Sequence, residues 1–303
     1  MKIEDISSPK TIKELILQFS KAGGFSAKDL ATGAEIWKEM QSQKKCKKIL
    51  STTGNLIAVG TRGIIKNLAK EKKIDVIIST PAIIAHDLIR LFEEYIPGYW
   101  NADDKKLHQK HLFRLGNIFL KDTSYGPILE NKLQPMLNNF YKEKKEWSVH
   151  ELVWAIGEQI SKLKNKEESI LYWCWKNQIP VFIPGPLDGA FGAQLWTFWN
   201  KHQDFKLNLF EDEQALYFFV MDAKKLGALM IGGGISKHHT IWWSQFRKGL
   251  DYAIYITSAP EWDGSLSGAR MKEAVSWGKV KESAKFITIP GDATIILPLV
   301  IYS

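Results

Sequence analysis

The sequence predicts an α/β fold, a large and mostly parallel sheet with helices on both faces, and three observations carry that expectation. From about residue 48 onward, short β-branched runs such as DVIIS alternate with amphipathic stretches, the pattern of strands joined by crossover helices. The stretches between the runs are long enough to hold a helix, as parallel neighbours require. The 303 residues are 45% apolar, enough for a sizeable core. No internal repeat or low-complexity linker divides them, so residues 1–303 are expected to form one domain, with residues 1–24 as a helical N-terminal extension.

Taken in order, residues 9–20 (PKTIKELILQFS) place Ile12, Leu15, Ile16 and Phe19 on one helical face, with Ser8 as cap and Pro9 at the first helical position. Gly23 and Gly24 break that helix, and a second runs from residue 26 to about 44 on Leu30, Ile36, Trp37 and Met40. KILSTTGNLIAV reads as a buried strand entering a polar turn, residues 61–72 as a helix, 75–79 as a strand, and Pro81 as the lead into a helix through Asp87, Leu88, Leu91 and Phe92. Residues 95–150, punctuated by Pro97-Gly98 and Tyr125-Gly126-Pro127, read as an insertion of loops and short helices. Helices over 149–163 and 168–176 lead to a strand at 179–184, after which GPLDGAFGAQLW opens into another helix. Residues 221–227 read as a helix end, ALMIGGG as a strand and a triple-glycine turn, KHHTIWWSQF as a helix and LDYAIYITSA as a strand. Residues 286–302 supply a final strand and tail.

The formal charge is +8 and the pI about 9.2. The lysines are scattered, and short runs such as residues 44–48 read first as solvated helix faces and loops. Attraction to an acidic partner is the weaker reading. Two cysteines without a CxxC pattern argue against a zinc site or a disulfide framework and fit a reducing compartment. The N-terminal stretch carries charges where a signal peptide needs an apolar core, and no apolar run approaches the ~18 residues of a membrane span. A cytoplasmic protein that binds no membrane, no nucleic acid and no metal is expected.

Ligands of open α/β sheets bind at the carboxyl ends of the strands, which directs attention to residues 52–55 and 80–82. Gly232, Gly233 and Gly234 stand between a strand and a helix, where backbone can approach a phosphate, although a tight turn uses glycines equally well. Lys237, His238 and His239 follow, and paired histidines at a helix start suit proton transfer better than metal binding, because neighbours on a helix diverge. Asp188 and Asp263 each follow a strand and precede glycine, positions suited to a ribose hydroxyl or to a turn. Lys279 lies behind Trp277 and Gly278. An aromatic wall favours the neutral, nucleophilic amine; a lysine snorkelling past a tryptophan is the plainer alternative.

In this order the segments ILYWCWKNQIPVFIPGPLDG, IGGGISKHH, DYAIYITSAPEWDGSLSGAR, EAVSWGK and GDATIILPL resemble deoxyhypusine synthase. GNLIAVGTR, DVIIST and RLGNIFL extend the resemblance from about Phe25 through nearly the whole chain. The resemblance implies a Rossmann-like fold and a homotetramer with sites at subunit interfaces. It also implies NAD as cofactor, oxidation of the polyamine spermidine, an imine of its aminobutyl part on a lysine, and transfer to a lysine of the translation factor 5A precursor. By position, Lys279 matches the imine-forming lysine and His238 the proton-transfer histidine; Tyr255, Glu273 and Trp277 match the amine pocket. Asn55, Thr80, Asp188, Ser258, Ala259, Asp263, Gly264, Ser265, Asp292 and Ala293 match the NAD site. The N-terminal helix covers the site entrance in some members, which makes residues 9–20 a candidate cover, with ordinary packing of an amphipathic helix as the equal alternative.

The chain departs from that pattern at Ala193 and Leu266, where the family carries aspartates that grip a polycation. It departs again at Thr80-Pro81-Ala82-Ile83, Ala85 and His86, where the family has TAGG and two acidic residues. Weaker or altered NAD binding is expected unless the loop has re-formed. A donor less charged than spermidine, such as a diamine or agmatine, and a non-catalytic paralogue subunit of a hetero-oligomer are the alternatives.

Overall fold

Six strands of the computed structural model, which describes residues 2–303, form one sheet: Cys46–Thr52 (β1), Val76–Ser79 (β2), Val181–Phe182 (β3), Lys225–Ile231 (β4), Leu250–Thr257 (β5) and Val280–Pro290 (β6). Their order is β6-β5-β4-β1-β2-β3, and every neighbouring pair is parallel. Read from the opposite edge this is 3-2-1-4-5-6, the doubly wound order of dinucleotide-binding folds, with its reversal between β1 and β4. The sheet is buried on both faces, which is why its strands read as nearly continuous apolar runs. Successive side chains alternate between two core layers: Leu50, Ile77, Leu229 and Ile254 on one side, Ile49, Ile78, Met230 and Ala253 on the other.

The N-terminal helix spans Ile12–Lys21 and is capped by Thr11, whose Oγ1 accepts from the Glu14 amide at 3.1 Å. The cap is therefore Thr11 rather than Ser8, because Thr11 has Glu14 three residues on, the spacing of a capping box. Ile16 anchors this helix against Phe25–Ser42.

Residues 95–150 correct the expectation of loops and short helices. Ile96–Pro97, Ile118–Lys121 and Leu112–Leu115 make an antiparallel sheet, and Gly126–Glu143 is an 18-residue helix. Pro127 sits at the start of that helix, where its missing N–H costs nothing. Leu129, Leu133, Leu137 and Phe140 form a fully buried stripe that outweighs the internal, exposed Pro135.

Two further boundaries shift. The preceding helix ends at Met221 and β4 starts at Lys225, so residues 225–227 are strand rather than helix end. The C-terminal tail is a helix, Ala293–Ile301, started by Asp292 accepting from the Thr294 amide at 2.7 Å and held by buried Ile296, Leu297 and Val300 despite Pro298. Among the described residues no helix is long and apolar enough to cross a membrane.

Candidate active site

Two hollows hold the sequence-predicted residues; the first runs along the sheet face toward Lys279, which precedes β6 and whose carbonyl accepts from the Leu250 amide at the amino end of β5, and the second lies at the carboxyl ends of the strands. The first, about 220 Å³, gathers three separate stretches: Lys237, His238 and Trp242 from the helix Gly234–Ser244, Leu266 and Arg270 from the loop after β5, and Glu273, Trp277 and Lys279 from the approach to β6. The helix lies close to that loop because position 233 has no side chain; a Cβ on Gly233 would stand 2.2 Å from Ser267 Oγ.

Lys279 is buried, 6% exposed, with its Nζ 4.8 Å from the Trp277 ring and 5.0 Å from the Trp242 ring. Trp277 is 63% exposed, so it covers the pocket from the solvent side rather than forming an interior wall. Glu273 opens the short helix Glu273–Ser276 and is exposed at the same side.

His238 is half-buried, and its ring lies 5.5 Å from Trp242. Burial pushes its pKa below the ordinary 6.5, and the charges of Lys279, His239 and Lys237 push the same way. It is therefore a neutral imidazole at neutral pH, able to accept a proton. His239 diverges from it and reaches Glu213 at 3.1 Å.

Beneath the pocket, Lys237 is 1% exposed and donates to the carbonyls of Leu266 (2.7 Å) and Ala269 (2.5 Å), with its Nζ 4.0 Å above the Tyr255 ring. Burial lowers its pKa to about 8. Tyr255 does not line the pocket; its hydroxyl donates to the Ser267 carbonyl at 2.6 Å, and Thr257 Oγ1 donates to the same oxygen at 2.9 Å. Lys237, Tyr255 and Thr257 thus pin one loop. Gly268 lets it fold tightly, since a Cβ there would stand 2.1 Å from the Pro260 carbonyl.

The second hollow, about 350 Å³, lies at the strand-order reversal and is lined by Thr53, Leu56, Gly232, Thr257, Ser258, Gly291, Asp292 and Ala293. Ser258, Asp292 and Ala293 of the sequence-predicted NAD set therefore face it directly. Asn55 is exposed in the adjoining turn Gly54–Ala58, and Thr80 Oγ1 accepts from the Gly54 amide at 3.1 Å. The Ala259 amide donates to Thr257 Oγ1 at 3.1 Å. Asp263, Gly264 and Ser265 form an exposed turn: Gly264 has φ +72°, and the Ser265 amide donates to Asp263 Oδ1 at 2.7 Å. Those Ser265 hydrogen bonds hold the Asp263 carboxyl below its ordinary pKa. Asp188 begins the helix after β3, and β2 separates β3 from β1, so within one chain it stands apart from this hollow.

The altered segment after β2 has become regular. Ala82–Ile89 is a helix, and close approach is supplied from the other side by Gly54, where a Cβ would stand 2.5 Å from the Cβ of Ala82. His86 is not in the site at all: it is buried, with Nδ1 2.8 Å from the Tyr95 hydroxyl. Ala193 lines a separate apolar groove with Leu187, Trp196 and Trp199. Trp242 was missing from the predicted set; its i,i+4 spacing from His238 was the signal that could have placed it on the same helix face.

A hollow at the strand-order reversal, with hydroxyl, carboxylate and glycine positions among its lining residues, suits a nucleotide ligand. Asp292 and Ser258 can accept from or donate to ribose hydroxyls, and Gly232 and Gly291 leave backbone within reach of a ligand. The residues present thus fit NAD.

Fold and pocket together define a doubly wound α/β enzyme with a hollow at its switch point and a buried lysine at the start of its edge strand. The deoxyhypusine synthase family model matches residues 14–303. A probable deoxyhypusine synthase of Picrophilus torridus is 52% identical over 301 residues, covering 99% of this chain and 95% of that one. One of Thermoplasma volcanium is 48% identical over 294 residues, covering 97% and 93%. A crystal structure from Entamoeba histolytica assigned as a deoxyhypusine synthase shares the fold, with a TM-score of 0.66 and 19% identity over 100% of this chain and 95% of that one. AgrE, solved in a ternary complex with ornithine and NAD+, shares it at a TM-score of 0.54 and 11% identity over 92% of this chain and 33% of that one. The chain belongs to the deoxyhypusine synthase family, and it is a transferase.

Proposed function

We propose that this chain transfers an aminoalkyl group from a polyamine to a lysine of the translation factor 5A precursor, through an imine on Lys279 and with NAD as cofactor. The observation that carries this reading is the buried Lys279, bracketed by two indoles and sharing a pocket with the neutral His238. Asn55, Thr80, Ser258, Ala259, Asp292 and Ala293, with the turn Asp263, Gly264 and Ser265 nearby, would hold NAD, which when bound would supply a reversible hydride acceptor for the amine-bearing carbon.

The chain's own groups do the rest. Lys279 must be uncharged to add to the carbon–nitrogen double bond, and His238 is the neutral base in its pocket that takes up the proton. Addition of Nζ and loss of the remaining donor as a free amine leave an imine on Lys279. The acceptor lysine then adds to the same carbon and frees Lys279. Glu273 receives the far ammonium of the donor, Trp277 excludes water from the solvent side, and Tyr255 acts through the Ser267 carbonyl by holding the loop.

Residues 1–303 work as one domain with residues 1–24 as an extension, in a cytoplasmic homotetramer. Sites at subunit interfaces account for Asp188, which in one copy lies apart from the NAD hollow. A less charged donor, a diamine or agmatine, is the second reading, favoured by Leu266 at the pocket rim.

The test is borohydride trapping. With NAD and an amine, the peptide bearing Lys279 gains one aminoalkyl group; Lys279→Ala gains none, and His238→Ala slows the gain by about 10²–10⁴-fold. No adduct with any polyamine or diamine would sink the proposal.

A further inference from the structure

Trp242 lies one helical turn beyond His238, and its ring and that of Trp277 place two indoles within 5.0 Å of Lys279 Nζ. Both fall inside the ~6 Å over which an aromatic ring attracts a cation. The charges around the pocket are unequal. Lys237, Arg270 and Lys279 line it, and Glu273 is the single carboxylate among the lining residues. Lys237 is committed to two carbonyls and Arg270 to Glu261 at 3.3 Å, while Leu266, 44% exposed, adds apolar surface at the rim.

We propose that Trp242 is a specificity-determining residue that makes this pocket select an α,ω-diamine over a triamine as donor, an inference that rests on the imine reading above. The two indoles stabilise the one positive charge on the nitrogen joined to Lys279. Glu273 takes the far ammonium. A third ammonium finds no second carboxylate among the lining residues and no hydrogen-bond acceptor on the side chains of Trp242 or Leu266, so it stays unpaired. In the diamine reaction the H–C–N unit loses a hydride to NAD and a proton, Lys279 nitrogen bonds to that carbon, and ammonia leaves. With a triamine the same bonds form and a smaller diamine leaves, so either donor can put the same aminobutyl group on Lys279.

The full-length chain with NAD is offered equal concentrations of carbon-13-labelled 1,4-diaminobutane and unlabelled spermidine, reduced with borohydride, and the heavy-to-light ratio is read on the Lys279 peptide. Wild type gives an excess of heavy adduct. Trp242→Asn moves the ratio toward light by about tenfold or more, and Trp242→Phe keeps the heavy excess. A light excess in wild type, or an unchanged ratio in Trp242→Asn, overturns the inference. So does equal loss of both adducts with native circular dichroism, which would make Trp242 a mere support for Lys279. If Trp242→Asn does not fold, Trp242→Leu is read by the same criteria. Absence of any wild-type adduct, with every amine tried, refutes the underlying transfer reading instead.

Discussion

His86 shows how a residue can sit beside a site in sequence and belong to the core in space. Its ring lies between Tyr95 and Tyr125 at 5.7 Å from each, and burial, with the charge of Arg90, lowers its pKa from 6.5 to about 4. Because the folded value is the lower one, the neutral form contributes stability that is complete above about pH 6.5 and is lost as pH falls toward 4. The loss at pH 4 is about 3 kcal/mol. Urea denaturation of wild type and His86→Gln at pH 7 and pH 4 should show this: the difference between the two proteins shifts toward the variant by that amount on acidification. A pH-independent difference would mean that folding leaves the His86 pKa where it stands in the unfolded chain. Lys237 is the opposite case, a buried cation whose hydrogen bonds to Leu266 and Ala269 are the reason it stays in place.

At the level of elements, the helix Gly126–Glu143 depends on one stripe. Leu133 is completely buried and Pro135, two residues on, is exposed. Leu133→Ala is therefore expected to cost about 2–5 kcal/mol through the lost burial and the cavity left behind, whereas Pro135→Ala costs nothing; chemical denaturation of the two variants checks both. A second element contact joins three helices: Asp87 accepts from Arg62 Nε (2.8 Å), Ser169 Oγ (2.6 Å) and the Leu171 amide (3.0 Å) with no exposure. Asp87→Ala would strand a buried guanidinium, at a cost of about 3–5 kcal/mol, and should lower the thermal midpoint without altering the Lys279 pocket.

For the whole molecule, the groove of about 560 Å³ lined by Leu187, Ala193, Trp196 and Trp199 is apolar, and Trp196 is 62% exposed. Exposed apolar patches of this kind mark protein–protein contacts. It adjoins Asp188, the NAD-set residue that one chain leaves apart from its hollow. A homotetramer predicts a light-scattering mass of four chains, and Trp196→Lys should reduce both that mass and NAD binding together. A wild-type monomer with full NAD affinity would remove the interface from the proposal.

The sequence by itself determined the parallel α/β architecture, since buried strands need apolar runs and crossovers need amphipathic helices, and both survive as local patterns. It also determined the family, because EAVSWGK and IGGGISKHH are specific strings. The helix Gly126–Glu143 was hidden by its prolines, because propensity is local and the burial of Leu129, Leu133, Leu137 and Phe140 that overrides it is not. Only the tertiary structure decided which residues share the pocket. His86 turned into the core, Tyr255 went beneath the loop, and Trp242 joined Trp277 across Lys279. The physical reason is that side-chain neighbours across a sheet edge are set by strand order and helix rotation, neither of which is written in the spacing along the chain.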